Sequence, residues 1–388
     1  MMCPNRPVYL DNQATTPCDS RVVEAMLPWF TEQFGNPASI EHVLGRAAEA
    51  AVEAARESIA RLINASAAEI VFTSGATESN NLAIKGFARF AATMDAPRRR
   101  IVTLATEHKC VLESVRDLAA EGFAPVVLPV DRDGLLDPGV LEEALAEPAL
   151  LVSVMAVNNE TGVIQDIPRL AAIAHQHGAR FHCDAAQAAG KIPVDVRAWD
   201  VDLMSLSGHK IYGPKGIGAL YVRRRPRIRL APLFSGGGQE RGLRSGTLAA
   251  ALIVGFGEAA RLAVLEAEAE RPRIASLREQ LERRLSEAIP GLVLNGSARA
   301  RIGGNLNLTF PRARAAELMA AAPDLCVSTG SACSAASIEP SYVLRAMGLS
   351  EEAAASSLRI GIGRFTSAAD IDFAVVALTA AHAAARAA

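Results

Sequence analysis

Lysine is scarce in this chain, occurring only at Lys85, Lys109, Lys191, Lys210 and Lys215. Lys210 stands apart by its setting. It closes Ser207-Gly208-His209-Lys210 and precedes Ile211-Tyr212-Gly213-Pro214-Lys215-Gly216-Ile217-Gly218, a run of small residues that allows close approach of backbone or ligand. An amine whose surroundings lower its pKa can form a Schiff base with an aldehyde cofactor. A solvated lysine in a surface loop fits the same stretch, and the stretch alone does not decide between them.

Other chemistry-bearing residues share one habit: they follow short apolar runs. Ser74-Gly75-Ala76-Thr77-Glu78-Ser79-Asn80-Asn81 comes after Glu69–Thr73. Backbone N–H groups at the start of a helix there, with the Thr77 hydroxyl, would bind a phosphate; a plain helix cap fits equally. The chain has no GxxxxGK[ST], and Gly213-x-x-Gly216-x-Gly218 lacks dinucleotide spacing. Asp184 ends another apolar run. A carboxylate there can pair with the protonated ring nitrogen of a pyridine cofactor and strengthen it as an electron sink, or simply cap a helix. His108 can stack on a planar ring or move protons near neutral pH, although a lone histidine is more often structural. His182 and His209 carry the same ambiguity, and His175 and His177 read as exposed. Six cysteines are scattered without CxxC spacing, which argues against a disulfide framework or a structural zinc site and for a reducing compartment.

The elements that must position these residues alternate. Apolar runs at 69–73, 100–104, 124–128, 150–155, 180–184, 203–205 and 219–222 read as strands separated by helical patterns. The pattern predicts an α/β fold: a mostly parallel, doubly wound, seven-stranded sheet with helices on both faces. Ligands of such sheets sit beyond the carboxyl ends of the strands, where the motifs fall. Before the sheet, helices are expected over 20–34, capped by Ser20, and over 41–63. After it, a helical region over 249–288 is expected to break around Arg271-Pro272. The domain change is placed inside that region. A large domain covers 15–260, and a smaller α+β domain joins 1–14 to 261–388.

Half of the 388 residues are hydrophobic, enough for both cores, and the net charge is −2. That balance gives no strong field toward nucleic acid or an anionic membrane. No apolar run of membrane-spanning length and no secretory signal core stand out, so a cytoplasmic location is expected.

The whole pattern resembles the cysteine desulfurases of the class V aminotransferase family, within the fold type I enzymes that use pyridoxal 5'-phosphate (PLP). The likeness runs from Tyr9-Leu10-Asp11-Asn12-Gln13-Ala14-Thr15-Thr16-Pro17 to Arg364-Phe365-Thr366. It is most specific in Ser207-Gly208-His209-Lys210, Arg241-Gly242-Leu243-Arg244-Ser245-Gly246-Thr247 and Gly330-Ser331-Ala332-Cys333. The resemblance implies that Lys210 holds the cofactor covalently, Asp184 pairs with the pyridinium, Gln187 bonds the ring hydroxyl and His108 stacks on the ring and carries protons. It implies that Ala76, Thr77, Ser207 and His209 hold the phosphate, with Thr247 reaching across from the second subunit of a homodimer, and that Asn159 borders the ring. Arg359, helped by Asn36, would clamp the carboxylate of L-cysteine, which suits the planar fork of guanidinium. Cys333 would be the nucleophile that leaves with the sulfur as a persulfide. No resident metal is implied, with Cys333 a transient ligand to an iron–sulfur cluster held by a scaffold. Ser337-Ile338-Glu339-Pro340-Ser341-Tyr342 resembles the long-loop, group I members, whereas the chain ends at Ala388 without their usual C-terminal extension, which bears on scaffold docking. Leu248 follows Thr247 where the family commonly has asparagine. Cys183 and Cys326 read as packing residues. The sulfur acceptor is expected to be an iron–sulfur scaffold or a sulfur carrier, with donation for tRNA or DNA thiolation as the alternative. A selenocysteine lyase, another class V enzyme such as a kynureninase-like hydrolase, and a PLP-fold scaffold for sulfur carriers are the remaining readings.

Overall fold

The computed structural model describes residues 7–94, 96–330 and 340–387. After a two-residue strand β1 (Val8–Tyr9), the apolar runs become β2 (Ile70–Thr73), β3 (Arg100–Leu104), β4 (Ala124–Leu128), β5 (Ala149–Ser153), β6 (Arg180–Asp184), β7 (Leu203–Ser207) and β8 (Gly218–Val222). They form one seven-stranded sheet in the order β2-β8-β7-β6-β5-β3-β4. Only β8 runs against its neighbours; the other pairs are parallel. The expected α/β architecture is therefore present. Six strands end on the same edge of the sheet, and the loops leaving that edge carry the candidate residues.

Helices cover both faces. The most useful for the site are α1 (Ser20–Met26), α2 (Val43–Leu62), α3 (Ala76–Asn81), α4 (Lys109–Asp117), α5 (Ala250–Ala288) and α6 (Ala368–Ala387). One face of the sheet buries Phe72, Val102, Val152, Phe181 and Met204 against helices that include α2 and α5. The other buries Val71, Ile101, Leu151 and Leu220. A second core, around Leu306, Phe310, Leu358 and Ile360, sits under a three-stranded antiparallel sheet of β9 (Val293–Leu294), β10 (Asn305–Thr309) and β12 (Ser357–Gly361). Between β10 and β12, β11 (Leu325–Cys326) pairs in parallel with β1 and so ties the start of the chain to this smaller unit.

Three local expectations need correction. Helix α1 stops at Met26 and a single turn follows at Pro28–Thr31, because Pro28 has no N–H to extend the helix. Its cap is Asp19 rather than Ser20; the Asp19 carboxylate accepts the Arg21 N–H at 3.1 Å. The sequence pattern predicts a turn over 74–81 and a helix only over 82–92; instead helix α3 starts at Ala76, just past Ser74-Gly75, and continues through a π-turn at Leu82–Gly86 into Phe87–Thr93. The largest difference is α5, which runs unbroken for 39 residues through Pro272. An interior proline costs about 3 kcal/mol, but α5 has packing on both sides of it. Ile253, Phe256 and Leu262 lie in the large core, and Leu277, Leu281 and Leu285 in the small one. Helix α6 is long and apolar enough to cross a membrane by length and composition, yet Ile371, Ala374, Leu378 and Ala381 are buried in the second core.

Candidate active site

Strand register brings the lysine loop and the phosphate turn together. Gly218 on β8 pairs with Thr73 at the end of β2 and with Ser207 at the end of β7. A Cβ at 218 would lie 2.6 Å from both Gly75 Cα and Leu206 O, so only glycine lets these two strand ends close on β8. Ser74–Thr77 therefore lies one strand away from Gly208–Lys210. Next along the edge, Asp184 on β6 pairs with Ser205 on β7. His108 follows β3, and Asn159 follows β5.

These loops enclose an open cavity of about 510 Å³. Ala76, Thr77, His108, Asn159, Asp184, Gln187, Ser207, His209, Lys210 and Arg359 all line it. Two expected residues do not. Asn36 lies in a separate depression beside Arg56 and Glu240, its Oδ1 accepting the Ala38 N–H at 3.0 Å. Thr247 is exposed and outside the cavity. Cys333 falls outside the described residues. Three residues before it in the chain, Gly330 lines the cavity in the left-handed region at φ +96°, with Glu160 crowding the place a Cβ would take.

Hydrogen bonds define the site further. Lys210 Nζ donates to the carbonyls of Gln13 (2.5 Å) and Ala14 (2.8 Å), in the loop after β1. Asp184 is buried; its Oδ1 accepts the Ala186 N–H at 2.9 Å and its Oδ2 accepts Asn80 Nδ2 at 2.7 Å. Gln187 Nε2 donates to Gln13 O at 2.8 Å, and Gln187 Oε1 accepts Lys191 Nζ. His108 caps α4, its Nδ1 accepting the Cys110 N–H at 3.2 Å. His209 Nδ1 meets Thr15 Oγ1 at 3.0 Å. Arg359, 2% exposed, comes from β12 of the small sheet. It donates to Asp11 Oδ1 at 2.8 Å and to the carbonyls of Asn159 (3.1 Å) and Gly330 (3.3 Å).

The electrostatics are those of a buried site rich in cations. Burial pushes the pKa of His209 down to about 4, helped by the charges on Lys210, Lys215 and Lys191. The imidazole is thus neutral at neutral pH. Burial, then Lys210 and Arg359, hold Lys191 well below the usual lysine range. Burial raises Glu107 well above the carboxylate range, and Glu160 upward as well. His182 is structural: its two nitrogens bridge Ser153 and Ser205 on adjacent strands, and burial lowers its pKa to about 3. His175 is not simply exposed, because Asp200 and Asp202 hold it at 2.9 and 2.8 Å. Cys183 is fully buried in the large core and Cys326 lies partly buried in β11. Sequence reasoning missed Asn80, Cys110 and Lys191 as parts of the site, and the two carbonyls under Lys210. Asn80 meets Asp184 and Cys110, and Lys210 meets the two carbonyls, only across long sequence separations, so no local pattern marks those contacts; Lys191 and Cys110 also meet Gln187 and His108 close by in the chain.

The class V aminotransferase model matches residues 8–373 of this chain. A cysteine desulfurase of Anaeromyxobacter sp. (strain Fw109-5) is 55% identical over 95% of this chain and 91% of that relative. Among solved structures, a NifS-like protein superposes with a TM-score of 0.89 at 35% identity, covering 96% of this chain and 98% of that one. Another, SspA in complex with cysteine, gives 0.81 at 38% identity over 92% and 99%. The chain belongs to the class V aminotransferase family, on its cysteine desulfurase branch.

Proposed function

We propose that the cavity takes L-cysteine, gives L-alanine and leaves the sulfur as a persulfide on Cys333 for transfer to an acceptor protein. The observation that carries this reading is the convergence of Lys210, Asp184, His108 and Arg359 on one cavity from two different sheets, with Gly330 at its wall. The family works with PLP, and the residues present fit that group. Ser207 Oγ, Asn159 Oδ1 and Arg359 Nε are buried with no hydrogen-bond partner among the described residues. Unmet polar atoms of this kind are costly unless a ligand satisfies them. PLP, when bound, supplies an aldehyde for an amine and an electron sink for a carbanion.

Within that frame the chain's own groups divide the work. Ala76 and Thr77 N–H groups at the start of α3, with Ser207 and neutral His209, hold the phosphate. Asp184 holds the ring-nitrogen proton, Gln187 faces the ring hydroxyl, and Asn159 borders the ring. Arg359 binds the substrate carboxylate with the planar fork it already presents. Lys210 Nζ takes the α-proton, and His108 carries the proton back to carbon. The Cys333 thiolate attacks the substrate sulfur: an S–S bond forms, the C–S bond breaks, and its electron pair returns to carbon, which is protonated to alanine. Thr247, exposed on this protomer, completes the phosphate site of a second copy. The acceptor is a sulfur carrier or an iron–sulfur scaffold.

Two variants test this. Cys333→Ser should retain the yellow absorbance of the holoenzyme yet lose persulfide and alanine formation from L-cysteine. Alanine released at the unmodified rate would remove Cys333 from the mechanism. Lys210→Ala should lose the visible band of the covalently held cofactor, and an unchanged spectrum would sink the lysine assignment.

A further inference from the structure

Asn80 and Cys110 join two groups of the site, Asp184 at the end of β6 and His108 in the loop after β3. Asn80 Nδ2 is 2.7 Å from Asp184 Oδ2 and 3.1 Å from Cys110 Sγ. The carboxylate accepts only, so the NH2 end of the Asn80 amide must face it. That nitrogen has two hydrogens, and the two contacts use both. Cys110 Sγ therefore accepts from Asn80, which leaves its single hydrogen for another acceptor. His108 Nδ1 stands 3.0 Å away. The same Nδ1 already accepts the Cys110 backbone N–H at 3.2 Å.

Resting on the functional reading above, we propose that Cys110, oriented by Asn80, is a positioning residue that keeps His108 in the tautomer with its hydrogen on Nε2. Two donors converge on Nδ1, so Nδ1 carries the lone pair, and the neutral ring must hold its hydrogen on the other nitrogen. The imidazole then meets bound substrate as a donor through Nε2. Two hydrogens pointed at Nδ1 favour the neutral ring over the imidazolium. As Nε2 gives its hydrogen to carbon, the Cys110 thiol hydrogen passes to Nδ1 in its place, leaving the thiolate facing Asn80, so the ring stays neutral through the transfer. Asp184, Asn80, Cys110 and His108 form one hydrogen-bonded chain. It ties the carboxylate assigned to the ring nitrogen to the imidazole assigned to proton transfer.

The charged groups around His108 stay constant when only Cys110 changes. Glu107 and Glu160 interact with its charge. Lys109 follows it in the chain, and Asp184, Lys210 and Arg359 line the same cavity. The test is nitrogen NMR on holoenzyme labelled at histidine, with the His108 signals assigned by their loss in His108→Gln. The parent protein should show Nε2 protonated and Nδ1 bare at neutral pH. Cys110→Ala, which removes one donor to Nδ1, should raise the His108 titration midpoint by about half a pH unit to one unit. Cys110→Ser, whose hydroxyl can both accept from Asn80 and donate to Nδ1, should return it toward the parent value. A parent His108 with its hydrogen on Nδ1, or a Cys110→Ala midpoint equal to the parent's, would overturn the proposal. Because the readout is the histidine itself, either result leaves the sulfur-transfer reading to its own tests at Cys333 and Lys210.

Discussion

Two buried arginines separate what holds this fold from what waits for a ligand. Arg56 on α2 meets Glu240 through two bonds of 2.7 Å, reaches Glu53 and the Ile70 carbonyl, and lies over the Phe72 ring at 4.5 Å. Its nitrogens all have partners, and Glu240 also accepts the Phe72 N–H. Arg359 is equally buried, but its Nε has no partner among the described residues, and two of its bonds go to loop carbonyls at the cavity wall. The first arrangement is closed; the second is incomplete in a way that a planar carboxylate would complete. Burial alone therefore does not distinguish a structural arginine from a binding one, whereas donor satisfaction does.

The contrast can be broken from either side. Arg56→Met should cost the most stability, about 3–5 kcal/mol, because Glu240 would remain buried without its counter-charge; chemical denaturation measures it. A loss below 1 kcal/mol would mean that the pair is no more than a surface-like contact. Arg359→Lys should move the unfolding midpoint less than Arg56→Met does, while lowering kcat/KM for L-cysteine about 10–100-fold through a raised KM.

Two smaller effects sharpen the comparison by pH. Glu107 Oε2 is a buried acceptor without a partner among the described residues, and burial raises the carboxyl pKa. The folded state then holds a proton that the unfolded state releases, so stability falls as pH rises above the ordinary carboxylate range. Glu107→Gln escapes that loss. Its stability relative to the parent should be greater at pH 8 than at pH 5, by on the order of 1 kcal/mol, and a pH-independent difference would count against a buried acid. His209 works in the opposite sense. With its pKa lowered from 6.5 to about 4, it costs stability as pH falls through that window, since the unfolded state binds the proton first. His209→Asn should flatten the stability profile between those pH values; an unaltered slope would assign the proton uptake elsewhere.

Much of the site was legible because parallel α/β sheets put their chemistry at strand ends, and strand ends are local features. Asp184, the Ser74–Thr77 turn and the Ser207–Lys210 turn each follow a short apolar run, and register then sets them side by side. The specific roles came from the family resemblance. What stayed hidden depends on contacts between distant residues. Nothing near Cys110 announces Asn80, and nothing near Lys210 announces the Gln13 and Ala14 carbonyls. Asn36 was expected at the substrate and lies elsewhere in this chain. The continuity of α5 was missed for a related reason: a proline's local cost is visible in sequence, while the two cores that offset it are not.

That helix has a consequence for how the protein can be inherited. Its 39 residues span about 58 Å, and its membership of the two cores changes between Ala263 and Ile274. A crossover between relatives within that span would leave each core, apart from the short β1, with helix residues from the parent that supplied the rest of it, whereas one on either side would mix parents within a core. Lys210 sits on one side of this boundary and Arg359 on the other. The amine and the guanidinium can thus be exchanged between relatives separately, with the change of core inside the helix as the seam.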